Sequence, residues 1–189
     1  MSEKYKIRDQ NKLHFLTFTV KDWIDIFIDD NYKMIIIKSL NFCQQNKGME
    51  IFGYCIMSTH IHIIARVKEN YRLSDCIRDF KKYTSKAIIK HICQKDKSGG
   101  MALIDNFGNK RAAKSGKDRY TFWKEGNHPV EITSNKFFDQ KLEYIHNNPV
   151  KALLVERPED YLYSSARNYA GLENHLAIEM EIVRMVTYK

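Results

Sequence analysis

The 189-residue chain (22.4 kDa) carries 31 Lys plus Arg against 23 Asp plus Glu, a net charge of +8 with a pI of about 9.2. A hydrophobic content of 43%, with 11 Tyr, 10 Phe and only 3 Pro, excludes a disordered or collagen-like chain. No apolar run approaches the ~18 residues of a membrane span. The charged start MSEKYKIR is unlike a signal peptide. Composition therefore predicts one soluble, basic domain over residues 1–189, without a membrane partner and placed in the cytoplasm, whose charge suits a polyanion. Cys43, Cys55, Cys76 and Cys93 are widely spaced and form no Cys-x-x-Cys pair, so they read as buried, reduced thiols rather than a disulfide or zinc framework.

In chain order, residues 14–20 (HFLTFTV) are β-branched and aromatic and read as a strand. Asp29, Asp30 and Asn31 offer caps for a helix over 32–45, which Gly48 ends. Residues 51–57 (IFGYCIM) are too short an apolar run for a helix and read as a central strand. In 60–67 (HIHIIARV), alternation sets Ile61, Ile63, Ala65 and Val67 on one face and His60, His62, Ile64 and Arg66 on the other.

An amphipathic helix follows from 73 to about 94, with Arg78, Lys82, Lys86 and Lys90 in a stripe of spacing four. Residues 95–119 are Gly-rich, with seven Lys or Arg against three Asp, a net +4 in one flexible-looking basic insertion. A short element is expected at 101–107. Strand-like sequence resumes at 120–124 and 130–132. Ser134 then caps a helix over 135–147, which Pro149 should end or kink. The order β-α-β-β-α-β-α predicts an α+β fold: an antiparallel sheet with helices packed on one face, of the ferredoxin-like, split βαβ kind.

His60 and His62, two apart on a strand, bring two imidazoles to one face about 6.5–7 Å apart along the backbone, close enough to converge on one ion. Alone, the pair is weak evidence, and two imidazoles by themselves favour zinc or manganese over magnesium. Tyr144 and Asn148, four apart, put a phenol and an amide on one helix face. His146 points to a different side of that helix and reads as a surface residue. Tyr83, in the basic helix, is a second candidate nucleophile, though its register favours packing. Phe122 and Trp123 suit either base stacking or the core.

Taken together, CIMSTHIHII (55–64) and YIHNNPVKA (144–152) resemble the single-tyrosine transposases of the His-hydrophobic-His (HUH) superfamily. More narrowly the chain is similar to the REP-associated tyrosine transposases. FWKEGNHPV (122–130) and PEDYLYSS (158–165) support the likeness, which spans about residues 14–171.

The resemblance implies the predicted sheet and a transposase-type activity that cuts and rejoins single-stranded DNA beside a hairpin. It implies a covalent 5′-phosphotyrosine link formed by Tyr144. It also implies a divalent ion, Mg²⁺ or Mn²⁺, held by His60, His62 and Asn148. Met57-Ser58-Thr59 departs from the Met-Pro-Asn that the group usually shows there. Monomer and shared-site homodimer are both compatible with the superfamily, and no nucleotide cofactor is implied. Beside such a site, Arg78, Lys82, Lys86, Lys90, Lys110, Arg111 and Lys114 become candidates for holding the DNA backbone. A non-catalytic single-strand-binding protein on the same fold, and a nuclease using activated water, are the competing readings.

Overall fold

Alternating apolar residues build the sheet in the computed structural model, which describes residues 7–95, 99–108 and 120–180. Strands β1 (His14–Thr19), β2 (Met49–Ile56), β3 (His60–Val67) and the short β4 (Val130–Glu131) form one antiparallel sheet in the order β2-β3-β1-β4. Helix α1 (Asp30–Asn46) connects β1 to β2, and α2 (Leu73–Lys95) with α3 (Gly99–Phe107) connects β3 to β4. This is the split βαβ arrangement expected from the sequence. Asp29 caps α1, its carboxylate accepting from Asn31 N–H at 2.9 Å. β2 and β3 join through a tight turn in which Met57 N–H donates to the His60 carbonyl at 2.8 Å.

One face of the sheet carries Leu16, Phe18, Tyr54, Ile56, Ile61, Ile63 and Ala65. It is sealed by Ile36, Ile37 and Leu40 of α1 and by Ile77, Phe80, Ile88 and Ile92 of α2. The other face carries a second apolar cluster, in which Phe15, Phe52, Cys55 and Ile64 meet Phe138 and Ile145 of α4 (Asn135–Lys151). The expectation of helices on a single face therefore holds for α1 and α2, while α4 lies on the opposite, histidine-bearing face. The reason is that Phe15, Phe52 and Ile64 make that face as apolar as the first, and such a sheet has to be covered twice.

A bulge in β2 makes the second face possible. Ile51 pairs with Ala65 but Gly53 with Ile64, so one extra residue shifts the side-chain parity between them. Gly53 then faces α4 at close range: a Cβ there would stand 2.8 Å from Leu142 Cδ1 and 3.0 Å from Ile145 Cδ1. Only a residue without a side chain lets the helix settle so near the strand.

Ser134 caps α4 as expected, its hydroxyl accepting from Phe137 N–H at 3.2 Å. The helix does not stop before Pro149 but runs on to Lys151. Pro149 sits in the last turn, where its missing N–H costs one helical bond. Beyond it, Ala152 N–H donates to the Asn148 carbonyl and Leu154 N–H to that of Pro149.

Residues 163–165 return along the outer edge of β2, with Ile56 N–H donating to the Tyr163 carbonyl and Ser165 N–H to that of Tyr54, both at 2.9 Å. Cys43, Cys55 and Cys76 are buried as expected, whereas Cys93 near the end of α2 is exposed. The expected element at 101–107 is α3. The rest of the basic insertion, with Lys110, Arg111 and Lys114, lies outside the described residues. Among the described residues, no helix is long and apolar enough to cross a membrane.

Candidate active site

β3 delivers both imidazoles to the α4 side of the sheet, with ring centres 4.8 Å apart. Each ring is oriented by a hydroxyl. Thr17 Oγ1, directly across the β1–β3 ladder, is 2.9 Å from His62 Nδ1, and Thr59 Oγ1 is 2.9 Å from His60 Nδ1. Thr59 thus gives the Ser58-Thr59 turn a function of its own despite the departure from the family pattern.

Burial pushes the pKa of His60 down. It pushes that of His62 down to about 3, with the charges of His60 and Lys141 acting in the same direction. Both rings are therefore neutral at pH 7. Nδ1 of each ring is engaged by a threonine hydroxyl, and in the tautomer that carries its proton on Nδ1 the Nε2 lone pair is open.

α4 brings the other two residues. The Tyr144 ring centre lies 5.4 Å from that of His62 and 6.1 Å from that of Phe15, with the side chain 43% exposed. Asn148 follows one turn later on the same helix face. Its Nδ2 and His62 Nε2 are both buried polar atoms without a hydrogen-bond partner. Such atoms are costly unless something satisfies them. Both residue types can ligate a cation, an imidazole through a ring-nitrogen lone pair and an amide, once rotated, through its oxygen. Among the described residues, no cluster of three His, Cys, Asp or Glu side chains could hold a metal. A site here is therefore two imidazoles plus an amide, completed by non-protein oxygens.

Two cations that sequence reasoning missed flank the phenol. Lys141 Nζ is 4.7 Å from the Phe15 ring centre and 5.8 Å from that of Tyr144, and Lys151 Nζ is 5.9 Å from the Tyr144 ring centre. Helical spacing carries the signal, because positions three before and seven after Tyr144 share its face.

His146 is not at the surface. Its Nε2 is 2.7 Å from Ser165 Oγ, and burial pushes its pKa down to about 4. Ser165 also receives the Tyr54 N–H and donates to the Tyr54 carbonyl, so His146 ties α4 to the edge of β2. Phe122 and Trp123 belong to the core, where Trp123 Nε1–H donates to Thr84 Oγ1 at 3.0 Å. Tyr83 is 60% exposed rather than packed, on α2 and away from the histidines.

The α2 stripe stands apart from this site. Arg78 is paired with Asp75 and Asp79, while Lys82, Lys86 and Lys90 are exposed on a helix that covers the opposite face of the sheet.

A family model described as IS200-like transposase matches residues 9–103, half of the chain and the whole of the histidine strand. The chain belongs to the IS200-like transposase family. Among solved structures, this family member resembles a REP-associated tyrosine transposase bound to a REP hairpin. The TM-score is 0.63 at 18% identity, over 96% of this chain and 94% of that one. The two share the α+β fold with its four-stranded antiparallel sheet. A transposase-like protein of Deinococcus radiodurans aligns with a TM-score of 0.44 at 15% identity, over 77% of this chain and 97% of that one. No curated protein matches the transposase.

Proposed function

We propose that this transposase is a REP-associated type of enzyme that cleaves and rejoins single-stranded DNA through a covalent link to Tyr144. The observation that carries the reading is a half-exposed phenol beside a pair of neutral imidazoles within one chain, with an unsatisfied buried amide one turn along the same helix.

Tyr144 is the nucleophile. Its oxygen bonds to the scissile phosphorus as the P–O3′ bond breaks, leaving the 5′ phosphate on the tyrosine and a free 3′ hydroxyl on the other strand. The phenol loses a proton, and the departing 3′ oxygen takes one up. Reversal with a different 3′ hydroxyl rejoins strands without a nucleotide cofactor, because the phosphoester bond is conserved in the link.

His60, His62 and Asn148 are the residues that would hold a divalent ion, Mg²⁺ or Mn²⁺. When bound, it would polarise the phosphate and offset the charge that builds on its non-bridging oxygens. Lys141 and Lys151 add positive charge beside the phenol, favouring the approach of a phosphate. Lys82, Lys86 and Lys90 face away, so any contact they make is to DNA beyond the reacting strand. The hairpin held by the structural neighbour suits this division of the surface, with single strand on the α4 face and paired DNA outside it.

The test is incubation with an oligonucleotide carrying a hairpin and a flanking single strand, in Mg²⁺ or Mn²⁺. A covalent protein–DNA adduct resistant to denaturant is expected, absent in Tyr144→Phe and in the presence of chelator. Cleavage that leaves a 5′ phosphate without an adduct would assign the site to an activated-water nuclease instead. Binding without cleavage, unchanged by chelator, would make the protein a single-strand binder.

A further inference from the structure

Immediately after β1 the backbone takes two consecutive residues into the left-handed region, Asp22 at φ 54° and Trp23 at φ 57°. Neither is glycine, and residues held in this region persist only where their surroundings impose it. The surroundings do. Val20 N–H donates to the Thr59 carbonyl at 2.9 Å, Lys21 N–H to that of Phe122 at 2.8 Å, and Trp23 N–H to that of Val20 at 3.1 Å. Lys21 Nζ is held by the Asn106 carbonyl at 2.7 Å.

This clamped turn does not bury the tryptophan. The Trp23 side chain is 56% exposed, although it is the largest apolar side chain of the region. Its ring centre lies 5.9 Å from that of His60 in an edge contact, and Lys124 Nζ lies 5.7 Å from the indole centre. A strained turn that holds a large, exposed aromatic beside His60 calls for a ligand, and Lys124 gives that place a positive charge.

We propose that Trp23 is the stacking platform for one unpaired nucleobase next to the scissile phosphate, with Lys124 taking an adjacent phosphate of the same strand. An indole plane stacks on any base, so the platform positions the strand over His60 without reading its sequence. It explains why the reacting nucleotide would have to be single-stranded: a base engaged in a duplex offers no face to the ring. The inference rests on the proposed reaction, but its own test does not require cleavage.

The chain has only two tryptophans, and Trp123 is buried in the core. Trp23 emission therefore reports a ligand directly. Full-length protein, titrated in Mg²⁺ with an unstructured single-stranded oligonucleotide and followed in parallel by the anisotropy of a label on the DNA, should lose tryptophan emission as the DNA binds. In Trp23→Ala, folded by circular dichroism, the residual emission should not respond. The affinity should fall by about 5- to 150-fold, with Trp23→Phe recovering most of it. Emission that stays constant through saturation, or quenching that survives in Trp23→Ala, overturns the platform. Trp23→Ala binding at wild-type affinity does the same. Quenching without any adduct in wild type would leave the platform standing and remove the proposed chemistry. An adduct formed by Trp23→Ala with an unchanged KM would remove the platform alone. Failure to bind any oligonucleotide would overturn both.

Discussion

Thr17 and Thr59 each meet the Nδ1 atom of one imidazole and set the orientation of its ring. Thr17→Val keeps the shape and removes the hydroxyl, leaving His62 Nδ1 without its 2.9 Å partner in a buried place. Mn²⁺ affinity, measured by calorimetry, is expected to fall about 10- to 100-fold. Lys141 acts on the phenol from the other side, and Lys141→Gln should slow adduct formation by about 10²-fold with little change in Mn²⁺ affinity. The histidine pair and the Tyr144-to-Asn148 spacing are legible in the sequence, because strand and helix periods dictate which side chains share a face. The orienting threonines are not. Thr17 is 45 residues from His62 and meets it only across the β1–β3 ladder. Trp23 is hidden for a different reason: only the left-handed turn after β1 keeps it out of the core.

The position of α4 decides whether Tyr144 reaches the histidines at all. Two devices seat it: the close approach at Gly53 and the His146–Ser165 bond. Gly53→Ala puts a methyl only 2.8 Å from Leu142 Cδ1, and a destabilisation of about 1–3 kcal/mol in urea unfolding is expected. Leu142→Ala in the same chain should recover part of it, since the two sites are in contact.

His146 supplies a pH dependence. The folded chain keeps it neutral down to about pH 4, whereas an unfolded histidine takes up a proton near 6.5. Between those values the unfolded state binds more protons, so stability present above pH 6.5 is lost as pH falls toward 4. Burial of His62 adds in the same direction. The melting temperature should decline across this window, with a shallower decline in His146→Gln. The hairpin, the two crossover helices and the start of α4 follow from local patterns in the sequence. The bulge at Gly53 and the continuation through Pro149 do not. A one-residue parity change leaves no periodic trace, and a proline in a last turn reads from sequence as a stop.

Across the described residues, lysines stand on both sides of the sheet, some beside Tyr144 and some on the outer surface of α2. Lys141 and Lys151 belong to the first, and Lys82, Lys86 and Lys90 to the second. If the two lysines near Tyr144 each meet a phosphate, the Lys141→Gln, Lys151→Gln double variant should flatten the log K against log salt slope for a short single strand by about 1.4. Replacing the three α2 lysines by glutamine should leave that slope unchanged and weaken only longer, hairpin-bearing DNA. The single-strand half of this expectation is checked by anisotropy titrations from 50 to 300 mM salt, on the order of the range over which phosphate contacts are resolved.

The 5.4 Å separation of the Tyr144 and His62 rings within one polypeptide has a kinetic consequence. If the proposed reaction uses the histidines and the tyrosine of one chain, adduct formation would be first order in the protein–DNA complex, and dilution at saturating DNA would not slow each chain. Equal mixtures of Tyr144→Phe and His62→Ala chains would then stay inactive, since neither defective copy has anything to lend the other.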